Sequence, residues 1–350
     1  MKTISFIDIA ARHSEVAEDV ERRVKAVLRS GRYVGGPVVA EAETLAAAWF
    51  GRTGAVGVAS GTDALMLALQ AVGVKPGDEV IVPALTFFAT AGAVCAIGAI
   101  PVIVDVDERG CLDPQDAARA RTEKTSAVVP VHLFGNRSRT PDLNVPVVDD
   151  AAQAIGADPP ASTGILTAVS TYPTKTWGAA GEGGFVVGEG DLLQRVRSLG
   201  NHGATRTAHV HVAVAGAVGR NSRLDAIQAA VLLGHAPAVA RRVARRRALA
   251  ARYDAGLPVS IEAFPRDEGS PVQQYVVHVE NRPEVQSALS AAGVPWQVYY
   301  PRPLGDQPAL EHAIRHPTPR AARFCETALA LPIHAGLSDA DVDRVLEVLS

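Results

Sequence analysis

The chain has 350 residues, 47% of them hydrophobic and 20% charged, which is enough apolar material for a large core and, at this length, for a large and a smaller domain. A formal net charge of −3 gives no electrostatic footprint for nucleic acid, and three scattered cysteines, Cys95, Cys111 and Cys325, form neither a metal spacing nor a disulfide framework, as suits a reducing cytosol. Residues 1–8 lack the apolar core of a signal peptide, and the apolar stretch 84–104 is interrupted by Gly92, Gly98 and Pro101, so it reads as a buried helix running into a buried strand rather than a membrane span.

Taken in order, residues 15–28 have helical spacing and end at the glycine-rich stop Ser30-Gly31-Arg32-Tyr33-Val34-Gly35-Gly36-Pro37, and a second helix is predicted over 38–50. Apolar runs then recur at 55–59, 80–82, 101–106, 126–131, 145–148, 166–171 and 184–187. Seven short strands with helical stretches between most of them predict a mostly parallel sheet covered on both faces. Between Gly135 and Val145 there is little room for a crossover helix, so one layer of cover should be thin there. After Asn221-Ser222-Arg223-Leu224-Asp225 a long helix begins; its basic run, residues 241–247, could suggest anion binding, but with alanine and valine interleaved at helical spacing it reads rather as a solvated face. A domain boundary is placed near this helix, giving a large domain over 1–240 and a small α+β domain over 241–350. The latter should hold strands at 274–279 and 296–300 and helices at 282–292, at 318–329 and after the cap Ser338.

Four stretches carry chemistry. Ser60-Gly61-Thr62-Asp63-Ala64 follows the first sheet strand and opens a helix, where free backbone N–H groups and the positive end of the dipole suit a phosphate; an ordinary helix cap has the same letters. Phe87 stands just past another strand, where it could cover a flat ring or pack in the core. Asp149-Asp150-Ala151-Ala152-Gln153 puts acid at a strand end with an amide three residues on, although one carboxylate could simply cap the next helix. Lys175 lies between two apolar strands and, if buried there, would have the lowered pKa of a nucleophilic amine able to form a Schiff base; taken alone it reads first as a solvated loop lysine. Together these are the parts needed to hold pyridoxal 5'-phosphate (PLP).

The ordered set Ser-Gly-Thr-Asp-Ala, Pro-Ala-Leu-Thr-Phe-Phe-Ala-Thr, Asp-Asp-Ala-Ala-Gln-Ala, Ser-Thr-Tyr-Pro-Thr-Lys, Gly-Glu-Gly-Gly, Asn-His-Gly and Gly-Arg-Asn-Ser-Arg-Leu-Asp-Ala-Ile-Gln-Ala-Ala resembles the DegT/DnrJ/EryC1/StrS family of PLP-dependent nucleotide-sugar aminotransferases, over nearly the whole chain. The resemblance implies the fold-type-I, aspartate aminotransferase-like α/β architecture, a cytoplasmic homodimer with shared active sites, and no metal, membrane or nucleic-acid partner. It implies that Lys175 holds the cofactor and shuttles the proton, that Asp150 pairs with the pyridine nitrogen, that Gln153 bonds the 3′-hydroxyl and that Phe87 lies against the ring. Gly61, Thr62 and Ser170 would bind the phosphate, with Asn221 reaching it from the partner; otherwise Asn221 caps the long helix. The implied reaction moves an amino group from an amino-acid donor, L-glutamate, to a ketone on a nucleotide-linked deoxysugar. The alternatives are a same-fold aminotransferase acting on a cyclitol or other ketone, and a PLP-binding regulatory protein without turnover. Gly305 stands where family members carry histidine in Pro-Leu-His-x-Gln-Pro, and the shortened segment 136–144 is a second departure.

Overall fold

The computed structural model describes residues 4–140, 142–204 and 210–350. Its seven strands in the first half are β1 (Gly54–Val58), β2 (Glu79–Pro83), β3 (Ile100–Val104), β4 (Thr125–Val128), β5 (Val148–Asp150), β6 (Leu166–Ser170) and β7 (Gly184–Gly188). They form two four-stranded runs, β1-β7-β6-β5 and β10-β3-β2-β4, in which β10 is the short strand Ile314–Arg315. Parallel bridges Val128↔Val147 and Val131↔Asp150 join the runs across the gap between β4 and β5. The pairings within these runs are parallel except those of β7, which runs against both β1 and β6.

Side chains alternate between the faces of this sheet, as a pleated strand requires. Phe185 and Val187 of β7 join Val169 of β6 in a core with the helices Pro37–Trp49 and Ala226–Gly256. Val186, Leu166 and Ala168 point the other way, into a core with the helices Gly61–Ala71 and Ala89–Ala96. The double cover expected from the apolar runs is therefore present.

The strand predicted over 145–148 begins only at Val148. Asp149 and Asp150 are themselves strand residues with satisfied carboxylates, which acidic letters do not announce. The short connection after Gly135 contains no helix among its described residues, and Pro141 lies outside them. It is stitched down instead by Asn136, whose Nδ2 donates to the carbonyls of Arg109 (3.2 Å) and Pro265 (3.0 Å) and whose Oδ1 accepts from the Asp267 N–H at 3.0 Å. Leu143 fills the cover beside the helix Pro114–Ala120, so that face is not bare.

In the last third, β8 (Glu262–Ala263), β9 (Tyr275–His278) and β11 (Ala328–Leu331) form an antiparallel sheet in the order β11-β9-β8. The helices Arg282–Ala291 and Asp339–Leu349 appear as predicted, the latter with a complete capping box between Ser338 and Asp341. Residues 296–300 are not a strand; one bridge, Gln297↔Ala330, is all that pairs there among the described residues. The helix expected over 318–329 stops at Thr327, because the following apolar residues leave helical geometry and form β11 beside β9.

The largest departure concerns the basic run. Arg242 and Arg246 are buried at 5% and 7% exposure, not solvated. The helix Ala226–Gly256 passes at this point between the N-terminal segment and the 334–336 loop, so its polar face is covered by tertiary contacts.

Candidate active site

The C-terminal ends of the parallel strands converge with the start of antiparallel β7, and each predicted site residue but Asn221 lies on or just after one of them, where α/β sheets leave a crevice. After β1, Ser60 caps the helix Gly61–Ala71 by accepting from the Asp63 N–H at 3.1 Å, so the preceding N–H groups of Gly61 and Thr62 have no partner within the helix. Gly61 is packed against Ser170 at the end of β6. A Cβ at position 61 would sit 2.7 Å from the Ser170 Cβ, so glycine is what lets hydroxyl and helix start share one concave spot. Gly184 is equally constrained, since its Cβ would lie 2.7 Å from the Ser60 backbone. A cradle with free N–H groups, a hydroxyl and a helix N-terminus fits a phosphate ester.

Asp150 and Lys175 form the polar pair of the site. The Asp150 Oδ2 accepts from Thr90 Oγ1 at 2.8 Å, Thr90 in turn lies 2.9 Å from Thr86 Oγ1, and Oδ1 accepts from the Ala152 N–H at 3.2 Å. Burial pushes the Asp150 carboxyl above the usual range, against the pull of Thr90, the Ala152 N–H and the positive charge of Lys175. Lys175 is partly exposed as a residue, but burial of its amine lowers the pKa, and the nearby Asp150 charge opposes that shift. A desolvated amine beside a carboxylate answers the choice left open for Lys175: it is not a solvated lysine.

The neighbouring Asp149 points elsewhere, as alternate strand residues must. It accepts from the N–H groups of Thr163 (2.8 Å) and Gly164 (2.7 Å) and from the Thr163 and Thr167 hydroxyls, and it faces His132 Nε2 at 3.4 Å. The Ser138 N–H donates to His132 Nδ1, which leaves the ring proton on Nε2. Burial alone would raise the Asp149 pKa, but His132 and these donors outweigh it and hold the carboxyl low. Of the two acids, Asp149 fastens the 162–164 loop and Asp150 serves the crevice.

Gln153 accepts from the Phe134 N–H at 2.5 Å through Oε1, an orientation assigned from this network, and that leaves its amide hydrogens for other groups. The Tyr300 hydroxyl is hydrogen-bonded to Gln153 and feels the Asp150 charge. Phe87, 62% exposed at the mouth, tilts against Tyr300 with centroids 6.5 Å apart. Asn221 stands apart. Its Oδ1 accepts from Arg223 Nε and Nη2 at 3.1 and 2.8 Å, and it is exposed while Ser222, between the two, is buried against Asp63 and Ala59. The long helix is capped by Asp225, which accepts from the Gln228 N–H at 2.8 Å, so capping is not the role of Asn221.

Several contributors carried no usable sequence signal. Arg12 donates to the carbonyls of Lys175 (2.9 Å) and Pro173 (2.6 Å) from a helix far away in the chain. Gln273 donates to the Thr174 carbonyl at 3.1 Å and accepts from Thr176 at 2.8 Å. Trp177 is fully buried, stacks on Phe185 at 5.5 Å and donates to the Leu232 carbonyl, so the lysine loop is pinned from behind along residues 174–177. Thr86 lies in the bend before the helix Ala89–Ala96 that holds Thr90, so no helical spacing announces their contact. Gly305 is in ordinary contact only, a Cβ there meeting Arg315 at 3.7 Å, so nothing local demands glycine.

The chain is 36% identical to a UDP-2-acetamido-2-deoxy-3-oxo-D-glucuronate aminotransferase of Pseudomonas aeruginosa, over 99% of both chains. It is 37% identical to a dTDP-3-amino-3,4,6-trideoxy-alpha-D-glucose transaminase of Streptomyces venezuelae, over 99% of this chain and 95% of that one. Its fold matches the solved structure of NtdA from Bacillus subtilis with bound cofactor PMP at a TM-score of 0.92, with 27% identity over 100% of this chain and 85% of the other. The family model described as the DegT/DnrJ/EryC1/StrS aminotransferase family matches residues 14–350, and the chain, with Lys175, Asp150 and the Gly61–Ser170 concavity at one sheet end, belongs to that family of PLP-dependent enzymes.

Proposed function

We propose that the protein transfers an amino group from an amino acid, L-glutamate, to a ketone on a nucleotide-linked deoxysugar. The observation that carries this reading is that the Asp150 carboxylate and the Lys175 amine, at the ends of neighbouring strands beside the Gly61–Ser170 cradle, are buried and close enough to feel each other's charge. Full-length similarity to two transaminases named for UDP- and dTDP-linked sugars supports the substrate class.

In this reading the Gly61 and Thr62 N–H groups and the Ser170 hydroxyl bind the cofactor phosphate. Asp150, kept in place by Thr90, holds a proton at the pyridine nitrogen, and the Gln153 amide group, which also contacts the Tyr300 hydroxyl, binds the ring hydroxyl. Phe87 covers the mouth. PLP bound there supplies an electron sink for a deprotonated α-carbon. Lys175, whose amine has its pKa lowered by burial against the opposing charge of Asp150, moves the proton at that carbon in both halves of the reaction. The division into a large domain over 1–240 and a small one over 241–350 is supported by the separate core that Leu249 and Tyr253 form with Tyr275, Leu329 and Leu346. Asn221, with Nδ2 donors left over, completes the phosphate site of a second copy in a homodimer. Cytoplasmic residence agrees with three free cysteines and with no described helix being long and apolar enough to cross a membrane.

The test is to incubate the PLP-loaded protein with glutamate and a panel of nucleotide-linked 3-keto and 4-keto sugars, with a cyclitol ketone alongside, and to identify the aminated product by mass spectrometry. Amination of a nucleotide sugar is the expected result. Turnover of the cyclitol alone would reassign the substrate, and absence of any half-reaction with glutamate would reject the donor.

A further inference from the structure

Behind the lysine loop lies a cavity of about 420 Å³ that shares no residue with the cradle or with Asp150, Gln153 and Lys175. Five arginines line it: Arg12, Arg241, Arg242, Arg245 and Arg246. Glu15 pairs with both Arg241 and Arg242, and Asp339 with Arg245. Asp8, also at the wall, caps the first helix by accepting from the Ala11 N–H. Five guanidinium groups set against the carboxylates of Asp8, Glu15 and Asp339 leave two positive charges. Among the described residues, neither Arg12 nor Arg246 has a carboxylate within ion-pair distance, and Arg246, 7% exposed, is hydrogen-bonded only to the neutral oxygens of Thr176 (3.1 Å) and Gln273 (3.4 Å). Arg12 Nε has no partner at all among the described residues. Burial lowers the pKa of His334, against the pull of the Ser5 carbonyl to which its Nε2 is bonded.

Burying a guanidinium without a counterion is costly, and charges so placed are ordinarily matched by an anion. The planar fork of arginine suits phosphate oxygens, and a phosphate monoester carries close to two negative charges at neutral pH. We propose that this cavity is a second anion site, which takes a phosphate group, either inorganic phosphate or the phosphoryl end of a small metabolite. Because Arg12 also holds the Lys175 and Pro173 carbonyls and Arg246 holds Thr176, the bound phosphate would brace the lysine loop from the side opposite the cofactor.

The experiment is isothermal titration of the PLP-loaded protein, whose cofactor phosphate site is filled, with inorganic phosphate in one arm and glycerol 3-phosphate in the other, at ionic strength matched with sodium chloride. Saturable one-site binding is expected in at least one arm. Tighter binding of glycerol 3-phosphate identifies a phosphorylated metabolite as the natural source, and equal or tighter binding of inorganic phosphate identifies the free ion. R246Q should weaken binding by about tenfold or more, as loss of one charged anchor would. R241E, at the exposed rim, should weaken it without touching the packed interior, and it decides the matter if R246Q fails to fold. No saturable binding in either arm, or wild-type affinity in the variants, would overturn the proposal.

Discussion

Thr90 donates its hydroxyl hydrogen to the Asp150 carboxylate at 2.8 Å, and this contact fixes the acid that we propose holds the proton of the ring nitrogen. Hydrogen bonds to charged groups are worth roughly 1.5–3 kcal/mol, so Thr90→Val is expected to slow the glutamate half-reaction by about tenfold to a hundredfold. Asp150→Asn should slow it far more, since a neutral amide cannot hold a proton at the ring nitrogen. Single-turnover absorbance of the cofactor measures both, and a Thr90→Val rate equal to wild type would mean that Asp150 is oriented by other groups.

Asp149 should behave oppositely to its neighbour. Asp149→Asn leaves a buried network short of its acceptor and is expected to cost about 1–3 kcal/mol of stability, with the half-reaction largely spared in the folded enzyme. The sign with pH is set by its lowered pKa. Stabilisation by this carboxylate is complete above the unfolded value of about 4 and is lost as pH falls through the lower folded value, so the melting-temperature gap between wild type and variant should narrow below about pH 4. A gap that widened in acid would contradict the assignment.

Gly61→Ala places a methyl group 2.7 Å from the Ser170 Cβ, inside the cradle. The expected outcome is a cofactor dissociation constant raised by about tenfold or more, together with a lowered melting temperature of the cofactor-free protein, because the end of β6 must shift to admit the methyl group. Titration of stripped protein with PLP reads this directly.

Lys175→Ala should abolish turnover while the cradle and Asp150 still retain some cofactor. Borohydride reduction of the wild type, followed by peptide mapping, should find the pyridoxyl group on Lys175 and on none of Lys2, Lys25, Lys75 or Lys124.

Mixing inactive Lys175→Ala chains with inactive Asn221→Asp chains tests the shared site. Asp at 221 can keep the Arg223 contact but loses the amide donors and adds a charge that repels phosphate. Partial recovery of activity is expected, because one site of each heterodimer would be intact. Recovery absent under demonstrated subunit exchange would place each site within a single chain.

The sheet, the cradle and the lysine are written in local letters: apolar runs a few residues long, glycines where backbones touch, and Ser-Gly-Thr-Asp at a helix start. The existence of the seven strands and the position of the Lys175 loop could be read from that spacing alone. Contacts between distant parts of the chain settled the rest. They separated Asp149 from Asp150 by giving adjacent strand residues different partners on opposite sides, and they gave the helix cap to Asp225 rather than Asn221. They also buried Arg242 and Arg246, whose letters read as a solvated face, because the N-terminal segment and the 334–336 loop, both remote in sequence, close over the helix. A pattern of periodicity records which face of a helix is polar. Whether that polar face meets water or other arginines is set only by what the rest of the chain packs against it.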